Sequence, residues 1–179
     1  MKTVKLSEVK HGGIFKILDV EFIKFILDEK TSIAVTKNSV FDSAFGKENN
    51  NLAESVVLER LTKEFLPKII SAVGEENVLE FETDLTALDG LKPYEPLKSK
   101  ISLPTFDFYR SNVETFDKYK FDNWWWLSTP DTAQPHYNPA WVVCVSPRGY
   151  FNYFNYFNYG GVRPFLHFES SISVSCEEE

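Results

Sequence analysis

The most restrictive feature of the chain is a Phe-Asn-Tyr triplet that is repeated three times over residues 151–159. A period of three matches neither the two-residue period of a strand nor the 3.6-residue period of a helix. In an extended chain the phenylalanines alternate between the two faces, and the tyrosines and asparagines do the same. No single face can hold all the rings, and we therefore predict that some of them are exposed to solvent.

This aromatic segment favours a role in recognition. Seven of the ten residues from Tyr150 to Tyr159 are aromatic, and an exposed aromatic patch usually marks an interaction site. Tyrosine offers a large contact area with few rotamers to freeze, and asparagine offers adaptable hydrogen bonds. The predicted ligand-binding residues are Tyr150, Phe151, Asn152, Tyr153, Phe154, Asn155, Tyr156, Phe157, Asn158 and Tyr159, with His136, Tyr137 and Asn138 as a second contact.

Three other interpretations of the segment stay open. In the first, the segment is a low-complexity repeat or an edge strand whose rings only fill space in the fold. In the second, its rings stack on sugars or bases. In the third, it is a subunit interface. The formal net charge of -7 weakens nucleic acid as a partner, because a nucleic-acid binder usually carries a basic stripe.

Length and composition predict a single domain over residues 1–179, since 43% of the residues are hydrophobic. Two cysteines are too few for a disulfide scaffold, and Cys144 lies in an apolar pattern typical of a buried thiol. The start of the chain lacks the apolar run of a signal peptide, and no stretch is long enough to cross a membrane. We expect a protein made in the cytoplasm without a membrane span.

The pattern along the chain indicates an α+β fold with strands at both ends and two helices between them. The predicted strands are residues 14–18, 20–27, 32–36, 78–82, 124–127, 141–146 and 162–168, with loops at 39–51 and 84–96. A helix is predicted from Glu54 to Val73 on an apolar stripe, with a break or kink near Leu66 because Pro67 lacks a backbone donor. A second helix is predicted from Thr105 to Tyr119.

Motifs of catalysis and metal binding are not evident in the sequence. Its three histidines are dispersed, and it has no nucleophile elbow, phosphate loop or metalloprotease motif. The tripeptide Gln134-Pro135-His136 lacks the carboxylate that a calcium-dependent lectin would place there. We therefore expect a protein that is not an enzyme and has no cofactor or metal.

Two motifs resemble those of a group common in gut bacteria and their phages. Residues 123–130, Asn-Trp-Trp-Trp-Leu-Ser-Thr-Pro, are similar to its Trp-Trp-Leu-Arg-Ser-Pro motif, and residues 161–165 are similar to its closing Gly-Val-Arg-Pro strand. That group resembles the formylglycine-generating-enzyme branch of the C-type-lectin-like fold. The same branch includes the variable proteins of diversity-generating retroelements, among them the phage major tropism determinant.

The resemblance implies a C-type-lectin-like fold with a loop-rich antiparallel sheet in the C-terminal half, above the N-terminal strands and two helices. It implies that residues 136–159 are a displayed, variable surface for a protein or glycan receptor on a cell. The templates of these retroelements are rich in the Asn codon AAY, and mutation of its adenines can produce codons for Phe and Tyr. A clean triplet repeat is not typical of that process. Trp124–Trp126 and Arg163 would belong to the scaffold, with Arg163 paired beneath the loops, and a trimer is implied by the same analogy. The resemblance also implies association with a phage particle, in which the protein would act outside the cell. The alternative is a structural phage protein whose aromatic segment is a subunit interface.

Overall fold

A computed structural model describes residues 1–132 and 140–177, which form a mixed α+β structure made mostly of strands. The strands are β1 (Lys2–Lys5), β2 (Ile14–Ile17), β3 (Val20–Ile26), β4 (Thr31–Thr36), β5 (Phe41–Ala44), β6 (Val78–Leu79), β7 (Phe81–Thr83), β8 (Leu97–Ser99), β9 (Trp125–Pro130), β10 (Trp141–Val145), β11 (Phe151–Asn155), β12 (Tyr159–Val162), β13 (Phe165–Glu169) and β14 (Ser173–Cys176). The α+β class predicted from the sequence is confirmed.

The first predicted helix is an unbroken helical run that changes its winding in the middle. It consists of α1 (Val56–Arg60), a π-helical segment (Leu61–Phe65) and α2 (Leu66–Val73). The run starts at Val56 because the side chain of Ser55 accepts the N–H of Leu58, as an N-cap does. The π-helical segment ends at Phe65, next to the position near Leu66 where a break or kink was predicted. The chain stays helical there and changes its winding instead. Proline removes one backbone donor there, and a wider turn satisfies the remaining groups.

The second predicted helix is two short helices, α3 (Phe106–Ser111) and α4 (Val113–Lys118). The Thr105 side chain caps α3 by accepting the N–H of Phe108 at 3.0 Å. The two helices separate at Asn112, whose φ of -124° and ψ of 21° are not helical. Short 3₁₀ turns cover Leu6–Glu8, Leu52–Glu54 and Glu75–Asn77.

Strands from both halves of the chain share the two larger sheets. A seven-stranded sheet has the order β1-β14-β2-β3-β4-β13-β6, a five-stranded sheet has the order β11-β10-β9-β12-β5, and β7 pairs with β8. All these pairs are antiparallel except β12 with β9. The expectation that the N-terminal strands form a separate layer beneath a C-terminal sheet is therefore wrong, since β1 pairs with β14, β4 with β13 and β5 with β12.

Two hydrophobic clusters pack against these sheets. The first includes Trp126, Val142 and Cys144 together with the helical run, and the second includes Trp125, Val143 and the side chains of α3 and α4. Neighbouring residues of β9 and β10 thus enter different clusters, because successive side chains of a strand point to opposite faces. Trp125 therefore lies in the second cluster, whereas Trp126 lies in the first and Trp124 packs against it.

Within residues 1–132 and 140–177, no helix is long and apolar enough to cross a membrane.

Candidate functional site

The aromatic segment begins as the second strand of a β-hairpin at one edge of the five-stranded sheet. Strands β10 and β11 are joined by residues 146–150, where Ser146 N–H donates to the Tyr150 carbonyl at 2.8 Å. Gly149 has a φ of 84°, a left-handed conformation that glycine adopts without steric cost. The N–H of Gly149 donates to the Ser146 carbonyl at 2.9 Å and closes the turn.

The two faces of β11 carry different parts of the triplet repeat. Phe151 and Tyr153 lie opposite Val145 and Val143, on the face that packs toward α3 and α4. Asn152 and Phe154 lie opposite Cys144 and Val142, on the other face. The predicted alternation of the phenylalanines is therefore confirmed between residues 151 and 154.

Five of the seven rings in the segment are exposed, with between 49% and 74% of the residue surface accessible. They are Tyr150, Phe151, Tyr153, Phe157 and Tyr159. Phe154 and Tyr156 are only partly buried and pack against the first cluster. The predicted exposure of rings is confirmed, and it follows from the conflict between the repeat and the strand period.

Ring contacts join part of the aromatic segment to the rest of the fold. Phe154 lies 4.5 Å from Trp124, measured between ring centroids, and Phe151 lies 4.8 Å from Phe106 of α3. Tyr153 meets Trp141 edge to face at 5.5 Å. Trp141 is itself 39% exposed and extends the aromatic surface. Trp141 was not among the predicted site residues, because it begins an apolar run typical of a buried strand.

The asparagines of the repeat support the backbone of the segment. The Asn152 side-chain oxygen accepts the N–H of Tyr153 at 2.8 Å, and the Asn155 side-chain oxygen accepts the N–H of Phe157 at 3.4 Å. The N–H of Asn158 donates to the Asn155 carbonyl at 2.9 Å. Asn155 and Asn158 thus form the turn that follows β11, and their part in contacting a ligand stays a prediction.

Arg163 is fully buried beneath the hairpin. Its Nε donates to the Thr36 carbonyl at 2.8 Å, and its guanidinium lies 4.5 Å from the ring centre of Trp125. Within the described ranges it forms no ion pair, and its Nη2 has no hydrogen-bond partner. Burial lowers the pKa of this guanidinium. Aromatic faces and one backbone carbonyl therefore stabilise the buried cation.

A cleft opens on the Phe154 face of the hairpin, with a volume of about 320 Å³. Its lining residues are Trp124, Ser146, Pro147, Arg148, Tyr150 and Asn152. Tyr150 and Asn152 were predicted site residues, whereas the other four were not. The hairpin turn places residues 146–148 beside Trp124, which is distant in the sequence, and no sequence motif signals that approach.

The hairpin strand β10 carries one of the two cysteines, Cys144. Cys144 is buried as predicted, and desolvation raises the pKa of its thiol to about 12. Among the described residues, no group of three or more His, Cys, Asp or Glu side chains could hold a metal ion. His136, Tyr137 and Asn138, the predicted second contact, lie outside the described residues.

Comparison with known proteins found no family model, no curated protein and no solved structure that matches this chain.

Proposed function

We propose that the protein is a non-enzymatic binding protein that contacts a receptor through the aromatic surface formed by Trp141 and the exposed rings of residues 150–159. The exposure of five rings in one ten-residue segment carries this proposal. Water-exposed aromatic rings gain contact area when a partner covers them, and aromatic residues dominate the energetics of many interfaces.

The way the surface is held supports the same function. Phe154 and Phe151 fix the hairpin to Trp124 and Phe106, so the backbone of the segment is ordered before a partner arrives. A tyrosine side chain has only two rotatable angles to fix. Both features reduce the entropy lost on binding, and the surface is therefore well suited to recognition.

We further propose a C-type-lectin-like scaffold related to the variable proteins of diversity-generating retroelements, with a phage receptor-binding role and a trimeric state. The Trp-rich motif of residues 123–130 and the Gly-Val-Arg-Pro motif support this proposal through the resemblance alone. The aromatic segment leads directly into the closing strands β12 to β14, which agrees with the position of the variable residues in that group. A reverse-transcriptase gene beside a near-copy of the segment's coding sequence would support diversification.

A binding assay with exposed rings removed tests the proposed function. Tyr153, Phe157 and Tyr159 are replaced together by Ser, and the purified variant is applied to intact bacterial cells and to immobilised cell-envelope glycans. We expect loss of the binding seen with the wild type. The matched control replaces three exposed aliphatic residues outside the hairpin, Leu18, Ile26 and Leu27, by Ser. Equal binding by the two triple variants would contradict the proposal.

A second candidate function, a structural protein that assembles through this segment, is favoured by the edge position of β11. The strand pairs with β10 on one side only. The Tyr150 carbonyl and the Tyr156 N–H form hydrogen bonds toward β10. Because backbone groups alternate along a strand, the N–H groups of Phe151, Tyr153 and Asn155 point away from β10, toward the open edge. Residues 149–162 contain no charge, and charges are what usually protect an exposed edge from pairing.

Light scattering separates the two candidates. Asn155→Pro removes an N–H that points to the open edge and keeps the hydrogen bonds between β11 and β10. It should therefore block pairing with a second copy at this edge. If a wild-type oligomer dissociates in this variant, the segment is a subunit interface. If receptor binding is lost in the triple Ser variant while the oligomeric state stays unchanged, the segment recognises a ligand.

A further inference from the structure

The cleft beside Tyr150 differs from the rest of the aromatic surface because its polar groups are available mainly as donors. The Ser146 hydroxyl oxygen accepts the N–H of Tyr150 at 3.1 Å, and the Asn152 side-chain oxygen accepts the N–H of Tyr153 at 2.8 Å. The hydroxyl hydrogen of Ser146 and the amide hydrogens of Asn152 remain to be donated. Arg148 can only donate. A ligand that satisfies these three side chains must supply acceptors.

The cleft also carries one positive charge, that of Arg148. Arg148 is exposed and forms no ion pair in the part of the chain that the structure describes, and none of the described lining residues is acidic. A carboxylate matches a guanidinium in charge and in its two-point geometry. One cation suits a singly charged carboxylate better than a doubly charged phosphate, because the remaining donors are neutral.

The walls of the cleft suit a ring with an apolar face. The Trp124 indole is held in place by Phe154, at a ring-centre distance of 4.5 Å and an angle of 40°. Tyr150 and Pro147 complete the walls. A volume of about 320 Å³ lies at the small end of ligand pockets, which suits a single ring with its substituents.

We propose that this cleft binds a sugar ring that bears a carboxylate, as in a uronic acid unit of a glycan. This inference rests on the proposed binding function and names its ligand class. The C–H face of the sugar packs against Trp124, the carboxylate pairs with Arg148, and hydroxyl oxygens accept from Ser146 and Asn152. A flat aromatic acid fits less well, since it has no acceptor beyond its carboxylate.

Titrations with simple sugars test the ligand class. The probes are methyl glucuronide, methyl glucoside and benzoate, and amide and indole chemical shifts are followed by NMR. We expect methyl glucuronide to bind about tenfold more tightly than either of the others, because one charge-assisted hydrogen bond is worth roughly that factor. Equal binding of glucuronide and glucoside would overturn the role of the carboxylate, and tighter binding of benzoate would overturn the sugar.

A charge variant tests the assigned partner. Arg148→Gln should weaken methyl glucuronide about tenfold and leave methyl glucoside unchanged. The matched control is Arg60→Gln, because Arg60 lies in α1 beside β5, at the opposite edge of the five-stranded sheet. An unchanged affinity of Arg148→Gln for glucuronide would overturn the proposal.

The two proposals fail separately. If no sugar binds but the triple Ser variant still loses binding to cells, only the carboxylated-sugar inference is wrong. If glucuronide binding depends on Arg148 but the triple Ser variant binds cells like the wild type, the inference holds and the proposed role of the wider aromatic surface is wrong.

Discussion

The Tyr109 hydroxyl donates a hydrogen bond to the backbone carbonyl of Gly149, and it thereby joins helix α3 to the turn of the aromatic hairpin. Gly149 is held in its left-handed conformation in this turn, and a Cβ placed there would lie 2.8 Å from a carboxylate oxygen of Asp117. The tip of the hairpin is thus fixed from the helical side. Burial raises the pKa of Tyr109 to about 12, so the phenol stays protonated at neutral pH.

Removing this hydroxyl should loosen the hairpin. Tyr109→Phe loses one partly buried hydrogen bond, which is worth about 1 kcal/mol of the free energy of unfolding. The freed Gly149 carbonyl should also let the turn open more often, so we expect faster hydrogen exchange at the β10 and β11 amides, measured by NMR.

Tyr119→Phe is a matched control for this variant. The Tyr119 hydroxyl donates to the Gly12 carbonyl at 2.8 Å, away from the hairpin. Both variants should lose similar stability in urea, but only Tyr109→Phe should change exchange in the hairpin. Identical exchange profiles would show that the Tyr109 bond does not position the turn.

Gly160 is required by the packing of Trp126. A Cβ at position 160 would lie 3.0 Å from the indole Nε1, which donates to the Ser43 carbonyl at 2.9 Å. Gly160→Ala should therefore cost about 1–3 kcal/mol of unfolding free energy, the usual range for overpacking. Urea unfolding followed by tryptophan fluorescence provides the measurement.

A double-mutant cycle identifies the cause of that loss. The three atoms nearest to the added Cβ belong to the five-membered ring of the Trp126 indole. Trp126→Phe removes that ring. We expect Gly160→Ala to cost less in the Trp126→Phe background than in the wild type. Additive losses would mean that the backbone of β12, not the indole, resists the added methyl group.

Arg163 should not tolerate the nominally conservative change to Lys. Its planar guanidinium stacks on Trp125 while Nε donates to Thr36, and an ammonium group cannot reproduce both contacts. We expect Arg163→Lys to lower the free energy of unfolding by about 1–3 kcal/mol. A urea midpoint within error of the wild type would show that charge alone suffices beneath the hairpin.

The sequence predicted those elements whose patterns are local. The apolar stripe of the first helix, the strands around Phe22 and Ala34, and the display of rings by the triplet repeat all follow from side-chain periodicity. The pairing of strands that are distant in the sequence does not follow from side-chain periodicity. Strand β5, within a predicted loop, is a four-residue segment with polar Asp42 and Ser43, and it becomes a strand because β12 lies beside it.

The candidate site divides in the same way. Exposure of Tyr150 and Tyr153 could be predicted, because a period of three cannot match a strand. The cleft could not be predicted, because it depends on how the turn at Arg148 approaches Trp124 across the sheet. A place for Arg163 beneath the loops was implied by the resemblance, but its partners, the indole of Trp125 and the Thr36 carbonyl, lie on distant segments and could not be predicted.

Mild acid should destabilise the protein through His167. Its ring stacks on Phe81 at 4.1 Å, and burial lowers its pKa to about 4, with Asp28 acting in the opposite direction. The unfolded chain, with a histidine pKa near 6.5, binds the proton more readily, so stability is full above pH ~6.5 and falls as the pH drops toward about 4. From pH 7 to 5 the loss should be about 1–2 kcal/mol. His167→Phe keeps the stack and cannot take up the proton, so its urea midpoint should fall less over this range. An equal fall in both proteins would assign the acid sensitivity to carboxylates.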